Sequence, residues 1–259
     1  MIARLTSAVG ESYRIVPTLI AAAPLFFLAP IAAEAVQHAI EWSIGMFSES
    51  GTMRSAARDG RRTLAGVLKV STLVIVGVLV ARYWAQGGDL RRALRLDARE
   101  RRFLFSGVAI AGLVLGLLVF SPGLLSGVAL PEKMRRFAPL LLVVLAAAVF
   151  QRRSVWAVAG LLGDRRMTVE RAAALSSGRP ARFTTVALVA TIAPPMALHY
   201  ALNFAARGLG PALLAFVLLV DSILVGATAI LIGNVIWISY RDAQEVDAPT
   251  SAESHVRLL

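Results

Sequence analysis

Two ionisable residues lie inside long apolar stretches of the sequence, where a charged group is unusual. Asp221 lies in the last apolar stretch and Lys69 in the second. A charge at the centre of a bilayer costs about 2.5–3.5 kcal/mol on insertion scales, so such residues raise a functional hypothesis. Asp221 is therefore a candidate proton or cation site, although a protonated or ion-paired carboxyl that fixes helix packing is the commoner explanation. An Asp221–Lys69 pair would neutralise both charges, unless Lys69 extends to the membrane surface instead.

A second polar group is predicted in the fifth apolar stretch. His199 and Asn203 are four residues apart and so share one face of a helix. Pro194–Pro195 just before them should break the backbone ladder and free carbonyl groups. Broken helices with nearby polar residues form the midplane sites of many transporters, although a kink with interhelical hydrogen bonds is commoner. Asn234 in the sixth stretch is a candidate partner.

Glu34, His38 and Glu41 share a helical face at the end of the first apolar stretch. Imidazole and carboxylate groups both suit zinc, which makes these three residues weak metal candidates. An ordinary polar edge at the membrane interface is the simpler interpretation, and we predict no metal and no cofactor.

Familiar catalytic motifs are absent. The 259 residues include no cysteine, so thiol chemistry and Cys-ligated metals are excluded. The sequence contains no Walker A loop, no dinucleotide glycine fingerprint and no HExxH zinc motif. We assign no catalytic residues, and this pattern favours a non-enzymatic protein.

The elements that must position these residues are membrane-spanning helices. The chain is 57% hydrophobic and only 17% charged, with a mean hydropathy of +0.69, whereas soluble domains carry about 25% charged residues. A span needs about 20 predominantly apolar residues. We therefore predict an all-α polytopic bundle forming one membrane domain over residues 1–242, followed by a disordered polar tail over 243–259. The six predicted spans are 15–36, 63–84, 103–123, 137–157, 183–206 and 213–238.

The net charge of +11 comes from basic clusters that border the spans. Most of the 27 Lys and Arg residues fall on one side of the predicted membrane, and the positive-inside rule places both termini there, in the cytoplasm. Residues 86–102 combine apolar positions at helical spacing with many arginines, which predicts either an interfacial amphipathic helix that binds anionic headgroups or a solvated connector. The candidate lipid-binding residues are Arg91, Arg92, Arg95, Arg99, Arg101 and Arg102. We expect no nucleic-acid partner.

The C-terminal half resembles a known family. The sequence has the run ERAAALSSGR over 170–179, then Arg182 and an apolar stretch, and the last stretch ends in Tyr240, Arg241 and Asp242. Over residues 137–242 this resembles the six-span, YciC-type bacterial inner-membrane proteins, which are similar to the membrane domain of some glycerophosphodiester phosphodiesterases. The resemblance implies a multi-pass protein of the bacterial inner membrane and assigns no activity.

Three functions remain open from the sequence. The first is a non-enzymatic protein that binds lipid or partner subunits in the envelope, which the basic loops favour. The second is a small permease with a polar midplane site around Asp221. The third is a membrane-embedded lipid enzyme.

Overall fold

The described part of the chain is entirely helical or irregular. The structure is a computed structural model that describes residues 2–48, 59–109, 156–164, 166–168, 170–171 and 179–247. Residues 98–109 and 156–162 form helices that are given by their numbers only. Helices satisfy every backbone hydrogen bond internally, which is what a chain in hydrocarbon requires. The other helices are α1 (Ile2–Arg14), α2 (Val16–Ala22), α3 (Leu25–Ser43), α4 (Gly60–Ala85), α5 (Leu90–Leu94), α6 (Arg179–Ala205) and α7 (Pro211–Asp247).

Within the described residues, three helices are long and apolar enough to cross a membrane. They are α4, the Val186–Ala205 part of α6 and the Pro211–Asp242 part of α7. A bent pair of helical segments, Ala3–Ala22 and Leu25–Ser43, would make a fourth. These three or four candidate spans support the prediction of a multi-pass membrane protein. Most of the spans predicted at 103–123 and 137–157 lies outside the described residues, so the number six stays a prediction.

The first predicted span, 15–36, is not one straight helix. The chain bends by 95° between the two segments of the pair. Ala23 leaves the helical conformation (φ −144°, ψ 65°), and Pro24, which has no N–H, begins the next helix. The candidate fourth span is therefore the bent pair as a whole and not α3 alone.

Both ends of the chain are more helical than expected. No helix was predicted before the span at 15–36, yet α1 forms there and its Glu11 pairs with Arg241 at 3.0 Å. Helix α7 continues to Asp247, five residues into the predicted disordered tail. The remaining tail residues lie outside the described part.

Glycine contacts bring α7 close to its neighbours. A Cβ atom on Gly233 would lie 2.5 Å from the carbonyl oxygen of Gly77 in α4, and one on Gly226 would lie 2.9 Å from that of Phe27 in α3. Small residues allow this approach of two backbones, which drives helix association in lipid. The glycines therefore hold α3 and α4 at a short distance from α7.

Arg82 organises the end of the bundle where residues 86–102 lie, which we call the arginine-rich end. Its guanidinium is 2% exposed, donates to the carbonyl oxygens of Ala93 (3.0 Å), Arg95 (3.1 Å) and Leu161 (2.6 Å), and lies 3.2 Å from a Glu100 carboxylate oxygen. Residues 86–102, predicted as either one amphipathic helix or a solvated connector, form α5 and the start of a second helix, separated by irregular residues 95–97. Asp97 and Glu100 start the second helix through reciprocal hydrogen bonds between side chain and backbone, a capping box.

We predict opposite effects for two glycine substitutions. Gly233→Ala should lower the free energy of unfolding by about 1–3 kcal/mol, because the new methyl group meets backbone that cannot move aside. Gly66→Ala, in α4 with open space around it, is the matched control and should raise it by about 0.5–1 kcal/mol through helix propensity. Thermal unfolding in detergent measures both. Equal shifts for the two variants would contradict the close approach of α4 and α7.

Candidate functional site

Polar side chains from four helices meet inside the bundle, in what we call the polar cluster. Glu34 and Asp221 have no exposed surface, and His38 is 3% exposed. The members are Glu34, Gln37, His38 and Glu41 of α3, Arg62 and Lys69 of α4, His199 and Asn203 of α6, and Asp221 of α7. The cluster joins residues that the sequence placed in separate groups.

Asp221 is the centre of the cluster. Its Oδ2 lies 2.9 Å from His38 Nε2 and accepts a hydrogen bond from Asn203 Nδ2 at 2.7 Å, while its Oδ1 lies 2.8 Å from His199 Nδ1. Asn203 also donates to the His199 carbonyl oxygen, which holds the amide in place. Both carboxylate oxygens therefore have hydrogen-bond partners from α3 or α6.

Lys69 pairs with Glu34 and not with Asp221. Its Nζ lies 3.0 Å from Glu34 Oε2 and 3.3 Å from Oε1. The hypothetical Asp221–Lys69 pair is therefore wrong. The two histidines already hold Asp221, and Glu34 supplies the carboxylate that faces α4. The side chain of Lys69 is 15% exposed, so it reaches the cluster from its edge.

Glu41 extends the cluster towards one end of the bundle. Its Oε2 lies 3.2 Å from His38 Nδ1, and its Oε1 accepts hydrogen bonds from Arg62 Nε (2.9 Å) and Gln37 Nε2 (2.8 Å). The side chain of Arg62 is 30% exposed. A continuous line of polar contacts thus leads from Arg62 through Glu41 and His38 to Asp221.

The group Glu34, His38 and Glu41 is buried and is not an edge at the interface. Its helical face points into the bundle because α3 packs between α4 and α7. The set with metal-ligand geometry also differs from the predicted one. One donor atom each from Glu34, His199 and Asp221 lies within 4.8 Å of the other two. The acidic and imidazole groups along one helical face were the sequence signal for this site. That signal did not show whether the face lies inside the bundle or at the membrane interface.

The cluster is short of positive charge. Its three carboxylates face two cationic side chains, so one negative charge is uncompensated when both imidazoles are neutral. Among the described residues, the buried atoms Glu34 Oε2 and Gln37 Oε1 lack a hydrogen-bond donor, although Lys69 compensates the first by charge. Buried charge without compensation is costly, so the cluster needs either a proton on one imidazole or one further cation.

Asn234 lies outside the cluster. It is thirteen residues from Asp221, about 20 Å along α7. Its Oδ1 accepts from Trp84 Nε1 at 2.8 Å, and its Nδ2 donates to the Ser12 carbonyl oxygen at 2.9 Å. Asn234 therefore joins α1 and α4 to α7 and is not a partner of His199.

Asp164 belongs to the arginine-rich end. It accepts hydrogen bonds from the Tyr240 hydroxyl and from the Arg166 N–H. Burial opposes its ionisation, but these hydrogen bonds hold the pKa of the Asp164 carboxyl below its usual value. Asp164 is thus an ionised anchor between α7 and the segment before α6.

Pro194 and Pro195 do not interrupt α6, which runs through both. The predicted free carbonyl is present: Pro195 has no N–H for the carbonyl oxygen of Thr191, and Tyr13 Oη donates to that oxygen at 2.8 Å. The proline pair therefore creates a docking point for the end of α1.

The six arginines proposed to bind lipid are exposed. Arg91 and Arg92 lie in α5, Arg95 follows it directly, and Arg99, Arg101 and Arg102 lie in the helix over residues 98–109. Leu94 is 45% exposed and Phe105 is 69% exposed beside them. We call Arg91, Arg92, Arg95, Arg99, Arg101 and Arg102 the arginine surface.

Comparison with family models, with curated proteins and with solved structures finds no match to this chain. The resemblance of residues 137–242 to the YciC-type family therefore stays a prediction.

We predict that Tyr13→Phe destabilises the protein only while residue 195 is proline. Loss of the hydroxyl leaves the Thr191 carbonyl without a donor, which costs about 1–3 kcal/mol for a buried group. In a Pro195→Ala background the restored N–H takes over, and Tyr13→Phe should then have little effect. Thermal unfolding of the double-mutant cycle measures this coupling. Tyr200→Phe, at a residue 68% exposed, is the control. Additive effects would rule out the proposed exchange of donors.

Proposed function

We propose that this chain is a small cation permease of the membrane, with the polar cluster as its cation site. The observation that carries the proposal is the setting of Asp221. This carboxylate has no exposed surface, lies in an apolar span, and is held by two imidazoles and an amide. Ionisable groups inside membrane spans are rare, and those that occur commonly mark ion pathways.

The composition of the cluster supports binding over packing alone. A structural ion pair is complete with one acid and one base, whereas this cluster contains an excess carboxylate and two imidazoles. A proton on one imidazole or a bound metal ion would supply the missing charge. Such a centre changes its preferred state when a cation enters or leaves, which is what a transport site requires.

The position of the cluster supports access from one side. Arg62 and Arg82 are twenty residues apart in α4, about 30 Å, which matches the hydrocarbon thickness of a bilayer. The line of polar contacts opens at Arg62, and the arginine surface lies near Arg82. We therefore place the entrance on the side opposite the arginine surface.

The finer topology is part of the proposal. Six spans with both termini in the cytoplasm of a bacterial inner membrane agree with the distribution of arginines. The ion pair between Glu11 of α1 and Arg241 of α7 supports a common side for the two ends of the described chain. In this orientation the cluster opens away from the cytoplasm.

Asp221→Asn should abolish cation flux. In proteoliposomes we would measure uptake of Zn²⁺, Mn²⁺, Na⁺, K⁺ and H⁺ with indicator dyes under an imposed membrane potential. At least one cation should enter with the unmodified chain and fall to the level of empty liposomes with Asp221→Asn, because the amide cannot balance a cation.

Ser222→Ala is the control for this experiment. Ser222 is the next residue of α7, is equally buried, and donates only to the Leu218 carbonyl oxygen of its own helix. Its flux should equal that of the unmodified chain. Flux that persists in a folded Asp221→Asn protein would contradict the permease proposal. The absence of flux in the unmodified chain, with only a lower melting temperature in the variant, would also contradict it.

Binding of anionic lipid is a second candidate function, carried by the arginine surface. Its side chains are exposed beside exposed apolar groups, the combination that suits a headgroup boundary. This function is compatible with the first, because the two sites lie at opposite ends of α4. Partner subunits in the envelope would use the same surface.

Arg91→Gln combined with Arg95→Gln should weaken retention of phosphatidylglycerol by roughly 30-fold, at about 1 kcal/mol for each arginine. Native mass spectrometry of purified protein titrated with phosphatidylglycerol or phosphatidylcholine measures the adducts. The double variant Arg61→Gln and Arg207→Gln, outside the arginine surface, is the charge-matched control. An equal loss in both double variants would show general charge attraction and no dedicated lipid surface.

A further inference from the structure

We infer that the polar cluster binds a divalent transition-metal ion such as Zn²⁺ through Glu34, His199 and Asp221, with the fourth position open to water. The inference rests on the proposed function and names the class of its cation. The first three residues come from α3, α6 and α7, and a donor atom of each lies within 4.8 Å of the other two. Three helices therefore converge on one point with metal-binding groups.

The spacing of the three donor atoms is close to that of zinc ligands. Zinc ligands at about 2.0–2.1 Å from the metal lie roughly 3.3 Å from one another. His199 Nδ1 is 2.8 Å from Asp221 Oδ1, and one donor atom each of Glu34, His199 and Asp221 lies within 4.8 Å of the other two. Small movements of these side chains would convert the present distances into ligand distances.

The mixture of donors selects the kind of metal. One imidazole and two carboxylates suit zinc and its transition-metal neighbours, whereas calcium and magnesium take oxygen ligands in larger number. His38 lies behind the Asp221 ligand: its Nε2 is 2.9 Å from Asp221 Oδ2, and its Nδ1 is 3.2 Å from Glu41 Oε2. Hydrogen-bonded partners of this kind orient the ligands and belong to the function of a metal site.

Lys69 takes the part of the cation while the metal is absent. Its ammonium lies 3.0 Å from Glu34 Oε2, and its side chain is 15% exposed, so its long stem has a route out of the cluster. A divalent ion with Arg62 alone balances the three carboxylates, whereas the same ion with Lys69 still in place leaves an excess positive charge. Metal entry should therefore displace Lys69 from Glu34, and Lys69 is an internal competitor of the metal.

The test uses the full chain purified in detergent and freed of metal with a chelator. Zn²⁺ titration by calorimetry should give one ion per chain, and Co²⁺ should give the intense visible absorption of a tetrahedral nitrogen and oxygen site. Asp221→Asn and His199→Gln should each weaken Zn²⁺ binding at least a hundredfold. Glu11→Gln, a carboxylate outside the cluster, should leave it unchanged.

Lys69→Gln makes the test independent of misfolding. Removing the competing ammonium should tighten Zn²⁺ binding at least about tenfold, an outcome that a damaged fold cannot produce. Weaker binding by Lys69→Gln, or stoichiometric binding that survives Asp221→Asn, would overturn the metal site. Zn²⁺ binding without flux in proteoliposomes keeps the site and rejects the permease. Flux of H⁺, Na⁺ or K⁺ without Zn²⁺ binding rejects the site and keeps the permease.

Discussion

The fully buried carboxylate of Asp221 is the constraint on which the inner half of the bundle depends. Its two oxygens hold His38 of α3 and His199 and Asn203 of α6 against α7. In hydrocarbon no water can replace a lost partner, so each of these helices must keep its rotation about its own axis for the contacts to form. The apolar faces give the helices little rotational preference in lipid, where one apolar side chain resembles another. The polar cluster supplies that preference.

A second constraint fixes the other end. Arg82 holds three backbone carbonyls and Glu100, and thereby ties α4 to α5 and to residues 98–109 and 156–162. Between the two polar centres, the glycine contacts let the backbones of α4 and α7 touch. The described bundle is thus pinned at both ends and close-packed between them.

The sequence predicted the chemistry of the site better than its pairing. Asp221, His199 and Asn203 were identifiable because a polar residue inside an apolar stretch has few ordinary explanations. Glu34 and His38 were assigned to the interface, because helical periodicity shows which residues share a face and does not show what the face meets. That error also gave Lys69 the wrong partner. The bend at Ala23–Pro24 divides the first predicted span, and the acidic face of α3 after the bend is buried in the bundle.

The charge balance argues that the cluster exists for more than stability. A buried network of ions can often be replaced by apolar residues with no loss, and sometimes with a gain, of stability. This network has three carboxylates for two fixed cations, so its charge is balanced only when an imidazole is protonated or a further cation is bound. The variable charge lies where two imidazoles can accept a proton or bind a metal, next to the partly exposed side chain of Lys69. A balance that either a proton or a metal ion can complete lets one replace the other, which is what exchange of cations at a buried site requires.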